Sequence, residues 1–399
     1  MRVLIDYRPA LRERSGVGEY VYQLARALLA AFPPGAARRL LDLTLFSSSW
    51  KDRLAREASI DGATIVDRRV PVRVMNLAWH RLGWPPIESL TNARFDVAHS
   101  PHPLLLPSRT AARVITIHDL YFLTHPDRTR AEIRRDYAAL ARRHAHQADR
   151  IIVPSQFTAR EVEQRLEVPA DRISVCPHGR PEWTPRAGPP ADGGYVLFLG
   201  TLEARKNVGG LLDAWERLAD HGPPEGGHYV RSSPAEAGPH VQGRKLPELV
   251  LAGKATDDAQ PWLDRIARPP LLGLVRHIGY VDPARRRELY EGARLLVQPS
   301  FEEGFGFPVL EAMTVGVPVV AAGRGALPEV LGDAGLLVDP DDPDHMASAI
   351  AQMLVDDELA ARSASKGLIR SRHFDWQRTA HDVLDAYQLA LQHRQCASA

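Results

Sequence analysis

The stretch RLLVQPSFEEGFGFPVLEAM, residues 294–313, changes character twice. Arg294–Ser300 is a short aliphatic run of the kind found in buried strands. Glu302–Gly306 holds two acids and two glycines and reads as a loop. A helix is expected to start near Phe307 or Pro308, because proline suits the first helical turn, where an N–H is not needed. Strand, loop and helix in that order form the unit of a parallel sheet wrapped by helices.

The same alternation runs along the chain. In the first half the strand candidates are RVLIDY, LDLTLF, ATIVD, FDVAHS, RVITIHD, RIIVPS and RISVCPHG; in the second they are YVLFLGT, ELVLAGK, RHIGYV, RLLVQPS, VPVVAAG and AGLLVDP. The segment between the halves, Pro177–Gly194, is rich in Pro and Gly and lacks periodicity. At 399 residues the chain is too long for one core. The expected class is α/β, with an amino-terminal doubly wound domain at 1–180, a linker at 181–194, a second such domain at 195–374, and a periodic final helix at 375–399 that docks back on the first. Residues 223–247 stand where a short loop would suffice and read as a disordered insertion.

Composition narrows the function. The chain is 44% hydrophobic and 25% charged with a net charge of +1, which argues against a protein that coats nucleic acid. Cys176 and Cys396 are too few for a disulfide scaffold, which fits a reducing compartment. No run of 18 apolar residues is present, so the expected location is cytoplasmic, with peripheral contact at the inner face of a membrane left open. Arg128, Arg135 and Arg142 share one stripe of a basic helix that suits either solvent or anionic lipid. Asp342 and Asp344 suit a helix N-terminus better than a metal.

In open α/β sheets ligands gather at the carboxyl ends of strands. Glu303 and Glu311 lie there, eight residues apart; a helical segment would separate their Cα atoms by about 12 Å, beyond the about 5–9.5 Å of glycosidase carboxylate pairs. They suit the two ends of an extended ligand with vicinal hydroxyls, although singly each acid also suits the solvated flank of a turn. GTLEARKN, Gly200–Asn207, places Arg205 and Lys206 where a first strand-to-helix loop meets phosphate, or where ordinary surface charge would sit. His118 ends a first-half strand, and Gly16 and Gly18 open the first helix. That glycine pair lies roughly nine residues beyond its strand with Val21 at the third glycine position, which disfavours a nicotinamide dehydrogenase.

In this order the motifs resemble those of glycosyltransferase family 4, retaining sugar-nucleotide transferases of the GT-B fold, in which two Rossmann-like domains face each other across a cleft. EEGFGFPVLEAM is similar to the family's E-x7-E motif, GTLEARKN to its basic phosphate motif, and SGVGEYVYQLA to its glycine loop. The resemblance implies that Arg205 and Lys206 hold the donor diphosphate, Glu303 the sugar and Glu311 the ribose, with His118 facing the sugar. It places Gly16, Gly18, Gly200, Gly304, Phe305, Gly306 and Phe307 around the donor, and Tyr280 and Val281 beside the base. It further implies no metal or other cofactor, a nucleotide diphosphate sugar donor with GDP-mannose favoured, and a glycan or lipid-linked acceptor in surface polysaccharide synthesis. The alternatives are a sugar-nucleotide epimerase of the same fold, or a non-catalytic sugar-nucleotide or membrane-binding module.

Overall fold

The computed structural model describes residues 1–11, 14, 16–33, 40–54, 57–125, 137–190, 193–220, 240–241 and 244–398. The chain divides into two compact units, Met1–Gly179 with Phe374–Ala399, and Arg180–His373. The first contains β1 (Arg2–Asp6), β2 (Asp42–Ser48), β3 (Thr64–Arg68), β4 (Val97–Ser100), β5 (Ala112–Thr116), β6 (Arg150–Val153) and β7 (Ile173–Val175). All are parallel, in the order β3-β2-β1-β4-β5-β6-β7.

The second unit contains β8 (Tyr195–Leu199), β9 (His240–Val241), β10 (Arg244–Lys245), β11 (Leu249–Ala252), β12 (Val275–Gly279), β13 (Ala293–Gln298), β14 (Val319–Ala322) and β15 (Leu336–Val338). Its main sheet is parallel, ordered β12-β11-β8-β13-β14-β15. Helices on both faces bury these strands, which is why they read as unbroken aliphatic runs; all four residues of β11 and of β14 are buried. The order reverses between β1 and β4 and between β8 and β13. Such switch points open a crevice at the carboxyl ends of the strands.

One face of the first sheet is covered by the helices Val17–Ala31 and Trp376–Ser398, through Tyr20, Val21, Leu24 and Leu28 on one and Ala380, Val383 and Tyr387 on the other. A buried polar chain crosses this layer. Tyr387 Oη lies 2.7 Å from His99 Nδ1, His99 Nε2 lies 2.8 Å from Thr116 Oγ1, and Thr116 Oγ1 lies 3.2 Å from Tyr20 Oη. Each group thereby replaces the water it lost on burial, so the network costs little and fixes one arrangement of the core.

Two segments differ from the sequence expectation. The stretch read as a linker is strapped onto the second unit: Arg186 N–H donates to Val315 O at 3.0 Å, Arg186 Nη1 to Ala293 O at 2.5 Å, and Arg287 Nη2 to Thr184 Oγ1 at 2.7 Å. Most of the expected 223–247 insertion lies outside the described residues. Its end, however, is ordered: β9 and β10 pair antiparallel, and Val241 and Leu246 enter the core. Both differences have one cause, since Pro and Gly content reports missing periodicity and not missing contacts.

Burial depresses the pKa of five histidines of the first unit: to about 3 for His80 and His99, to about 4 for His118 and His144, and well below the usual value for His178. These groups bind protons in the unfolded chain first, so stability is full above about pH 6.5 and falls as pH drops toward 4. The fully buried His99 alone contributes a slope of about 1.4 kcal/mol per pH unit. Thermal melts should therefore show a lower transition for this unit at pH 5 than at pH 7; a melt insensitive to pH in that window would contradict a neutral buried network.

Candidate active site

The loops after β8 and β13 meet at the switch point of the second sheet. Phe301 N–H donates to Arg205 O at 2.9 Å, which ties one loop to the other. Glu303 is buried between them and its two oxygens have different surroundings. Oε1 accepts from Lys206 Nζ at 2.5 Å, Ser300 Oγ at 2.9 Å and Gln298 Nε2 at 3.2 Å. Oε2 faces Arg205 Nη1 at 3.5 Å, and Arg205 also pairs with Glu203 at 3.0 Å.

Burial alone would raise the pKa of Glu303, but Lys206 and Arg205 outweigh it and hold the carboxyl at about 2. Lys206 is pushed down by burial and by Arg205, with Glu303 opposing. At neutral pH the site therefore carries a carboxylate and a guanidinium, with an ammonium held against the carboxylate. The hydrogen bonds to Oε1 fix the carboxylate's rotation and leave Oε2 facing Arg205.

Local backbone explains this precision. Gly306 stands before the helix Phe307–Val315 at φ 103°, and a Cβ there would meet Leu327 at 2.6 Å. Gly325, at φ 65°, packs so closely that a Cβ would lie 2.7 Å from both backbone N and O of Glu303, while Ala326 N–H donates to Glu303 O at 2.8 Å. Only glycine meets both demands. The helix starts with Pro308 in its first turn and has no side-chain cap, so its amino end faces the Glu303 loop.

Glu311 takes a different position. It is buried one turn inside that helix, where Oε1 accepts from Arg286 Nη1 at 2.8 Å and Oε2 from Tyr290 Oη at 2.9 Å. Arg205, Lys206 and Glu303 thus form one cluster, and Glu311 belongs to another. Gly200 is half-buried at the end of β8; Gly304 and Phe305 are buried, and the Phe305 and Phe307 rings meet edge to face at 5.5 Å. Tyr280 and Val281 follow β12, with Lys254 Nζ 5.8 Å from the exposed Tyr280 ring.

In the first unit, His118 follows β5. Its Nε2 donates to Pro101 O at 3.1 Å, beyond β4, and its ring meets Tyr20 at 4.9 Å and His178 at 5.6 Å. Gly16 is exposed before the first helix and Gly18 is buried within its first turn. Arg142 is exposed, while Arg128 and Arg135 lie outside the described residues. Asp342 caps a helix, accepting from Asp344 N–H at 3.0 Å and His345 N–H at 2.9 Å. Among the described residues no group of three His, Cys, Asp or Glu side chains is arranged to hold a metal, and no helix is long and apolar enough to cross a membrane.

Ser300, Gln298, Gly325, Arg286 and Tyr290 were not singled out from sequence. Gln298 and Ser300 did leave a signal, because two polar residues on one face at the end of an aliphatic strand need a buried partner. The others act across 21 or more positions, where sequence spacing is silent.

Residues 14–181 match the model of Glycosyltransferase Family 4, and residues 233–356 match that of Glycosyl transferases group 1. The O-antigen chain mannosyltransferase B of Escherichia coli is 30% identical over 415 residues, covering 98% of this chain and 100% of that one. The chain belongs to glycosyltransferase family 4. A D-inositol 3-phosphate glycosyltransferase of a Nocardioides species is 29% identical over 61% of this family 4 chain and 54% of its own. The fold matches sucrose-phosphate synthase of Thermosynechococcus elongatus (TM-score 0.75, 19% identity, both chains fully covered) and WaaG, a glycosyltransferase involved in lipopolysaccharide biosynthesis (TM-score 0.68, 14% identity, 96% and 99% covered). The two units are thus the two Rossmann-like domains of a GT-B glycosyltransferase.

The Glu303–Lys206 contact sets a measurable expectation. In wild type the carboxylate's contribution to stability is full above the unfolded value of 4.5 and is lost progressively as pH falls from there through about 2. In Lys206→Ala the nearest cation is lost while burial persists, so the Glu303 pKa rises toward its unfolded value and the contribution shrinks, at pH 7 as well. Denaturation followed from pH 7 to pH 3 should show the variant less stable than wild type at pH 7 but falling less steeply, so that the two curves converge at low pH, and parallel curves would count against the pairing.

Proposed function

We propose that this enzyme is a retaining hexosyltransferase that moves a mannosyl group from GDP-mannose to a glycan or lipid-linked glycan during surface polysaccharide synthesis, working in the cytoplasm at the inner face of a membrane. The observation that carries the reading is the pairing of buried Glu303 with Lys206 and Arg205 at the β8/β13 switch point. The mannosyl and polysaccharide terms are supported by the full-length similarity to an O-antigen chain mannosyltransferase.

Transfer breaks the bond between the sugar anomeric carbon and the diphosphate oxygen. Positive charge grows on the sugar and negative charge on the leaving group. Arg205 and Lys206 are assigned to receive that negative charge in place of a metal. Glu303 Oε2 is assigned to a sugar hydroxyl, Glu311 to the ribose with Arg286 and Tyr290 fixing its orientation, and Tyr280 with Val281 to the base. Gly200, Gly304, Phe305 and Phe307 are assigned to the donor's walls, and Gly16 and Gly18 to the region of the transferred group. The acceptor oxygen attacks from the face the leaving group departs, and its proton passes to a diphosphate oxygen. His118, neutral at pH 7, is assigned to the donor sugar as a hydrogen-bonding partner.

The site is tested by Glu303→Gln and Lys206→Ala, each expected to lower kcat about 10²–10³-fold with melting at pH 7 followed as the control for folding. Transfer should survive EDTA. A melting-temperature screen should rank GDP above UDP and dTDP, because a ligand that binds only the folded state raises the transition. Unchanged turnover in both variants would remove the site assignment. Donor turnover without acceptor, giving an epimerised sugar by NMR, would replace transferase with epimerase.

A further inference from the structure

The first unit carries an apolar surface that its core does not use. After β3 the chain runs RRVPVRVMNLAWHRLGWPP, residues 68–86, on the same carboxyl edge of the sheet that bears Gly16 and His118. Met75 and Trp79, one helical turn apart, face inward against Leu4, Phe46 and Ile87. On the outer side Val74 is 57% exposed, Leu77 62%, Leu82 73% and Trp84 64%. Among the described residues, five of the twelve exposed large apolar side chains fall between Val72 and Trp84. They are therefore concentrated, whereas an ordinary surface scatters them singly.

Charge points to the occupant. The stretch contains Arg68, Arg69, Arg73 and Arg81, and no Asp or Glu occurs from residue 68 to 87. Ser49 N–H donates to Arg68 O at 3.2 Å, which brings exposed Trp50 and Lys51, just beyond β2, beside the same stretch. Apolar tips interleaved with cations of one sign fit a layer of uniform negative charge over hydrocarbon: Trp and Leu enter the acyl boundary while guanidinium groups stay among the headgroups.

We propose that residues 68–86, with Trp50 and Lys51, dock on an anionic lipid bilayer and hold this edge of the first unit at the membrane plane. That a lipid-linked acceptor is presented there rests on the function proposed above; the bilayer contact itself does not.

The test is flotation of the full chain, without donor, on phosphatidylcholine vesicles with or without phosphatidylglycerol. Wild type should bind the anionic vesicles in preference, and L82S/W84S and R69E/R73E should each bind about tenfold more weakly. Both variants should keep the wild-type melting temperature and full transfer to a water-soluble acceptor, so loss of vesicle binding and loss of transfer are read separately. Absence of wild-type binding, equal binding to neutral and anionic vesicles, or unchanged binding by both variants overturns the proposal. Self-association abolished by L82S/W84S without vesicle binding also overturns it and assigns the surface to a second copy of the chain.

Discussion

A carboxylate buried against an ammonium and a guanidinium is the constraint around which the second unit is organised. Such a pair adds little net stability, because desolvation offsets most of the attraction, yet removing one partner costs about 3–5 kcal/mol. The surroundings of Glu303 show how the protein tolerates it. Ser300 and Gln298 occupy Oε1 together with Lys206, and Gly325 lets a neighbouring loop hold the Glu303 backbone. The sheet topology supplies the place, since β8 and β13 are adjacent where the strand order reverses. The cost of assembling these charges is met during folding, so little rearrangement is left when a charged ligand arrives.

The two units use buried polar groups differently. In the second unit they are ionic and converge at the end of the sheet. The first also has a buried ion pair, Asp6 with Arg8 at the end of β1, but its apolar layer holds a neutral hydrogen-bonded chain of Tyr387, His99, Thr116 and Tyr20. One arrangement stores charge complementarity, and the other fixes the seat of a helix. His118 stands beside the second network with its ring against Tyr20, and burial keeps it neutral.

The thirteen strands of the two main sheets were legible because each is a short aliphatic run bounded by turn residues, and parallel sheets buried on both faces demand that pattern. Arg205, Lys206 and Glu303 were legible as candidates because topology alone puts their loops at strand ends. Their mutual pairing was not, since it spans 97 positions for Lys206 and Glu303. Glu311 was legible as a second acid at a distance from Glu303; its partners Arg286 and Tyr290 were not, since they lie 25 and 21 positions away. The strap at 180–190 escaped because its contacts are made by backbone and arginine, which leave no periodic trace.

The first unit is discontinuous in sequence: its core is completed by Ala380, Val383 and Tyr387 from the final helix. During synthesis, β1 to β7 leave the ribosome with one face of their sheet covered only by the helix Val17–Ala31, and they remain so while all of Arg180–His373 is made. The second unit, whose residues are contiguous, has every strand available before that helix exists. Chain order thus sets an order of maturation, in which the second unit has all its parts first and the final helix completes the half made earliest.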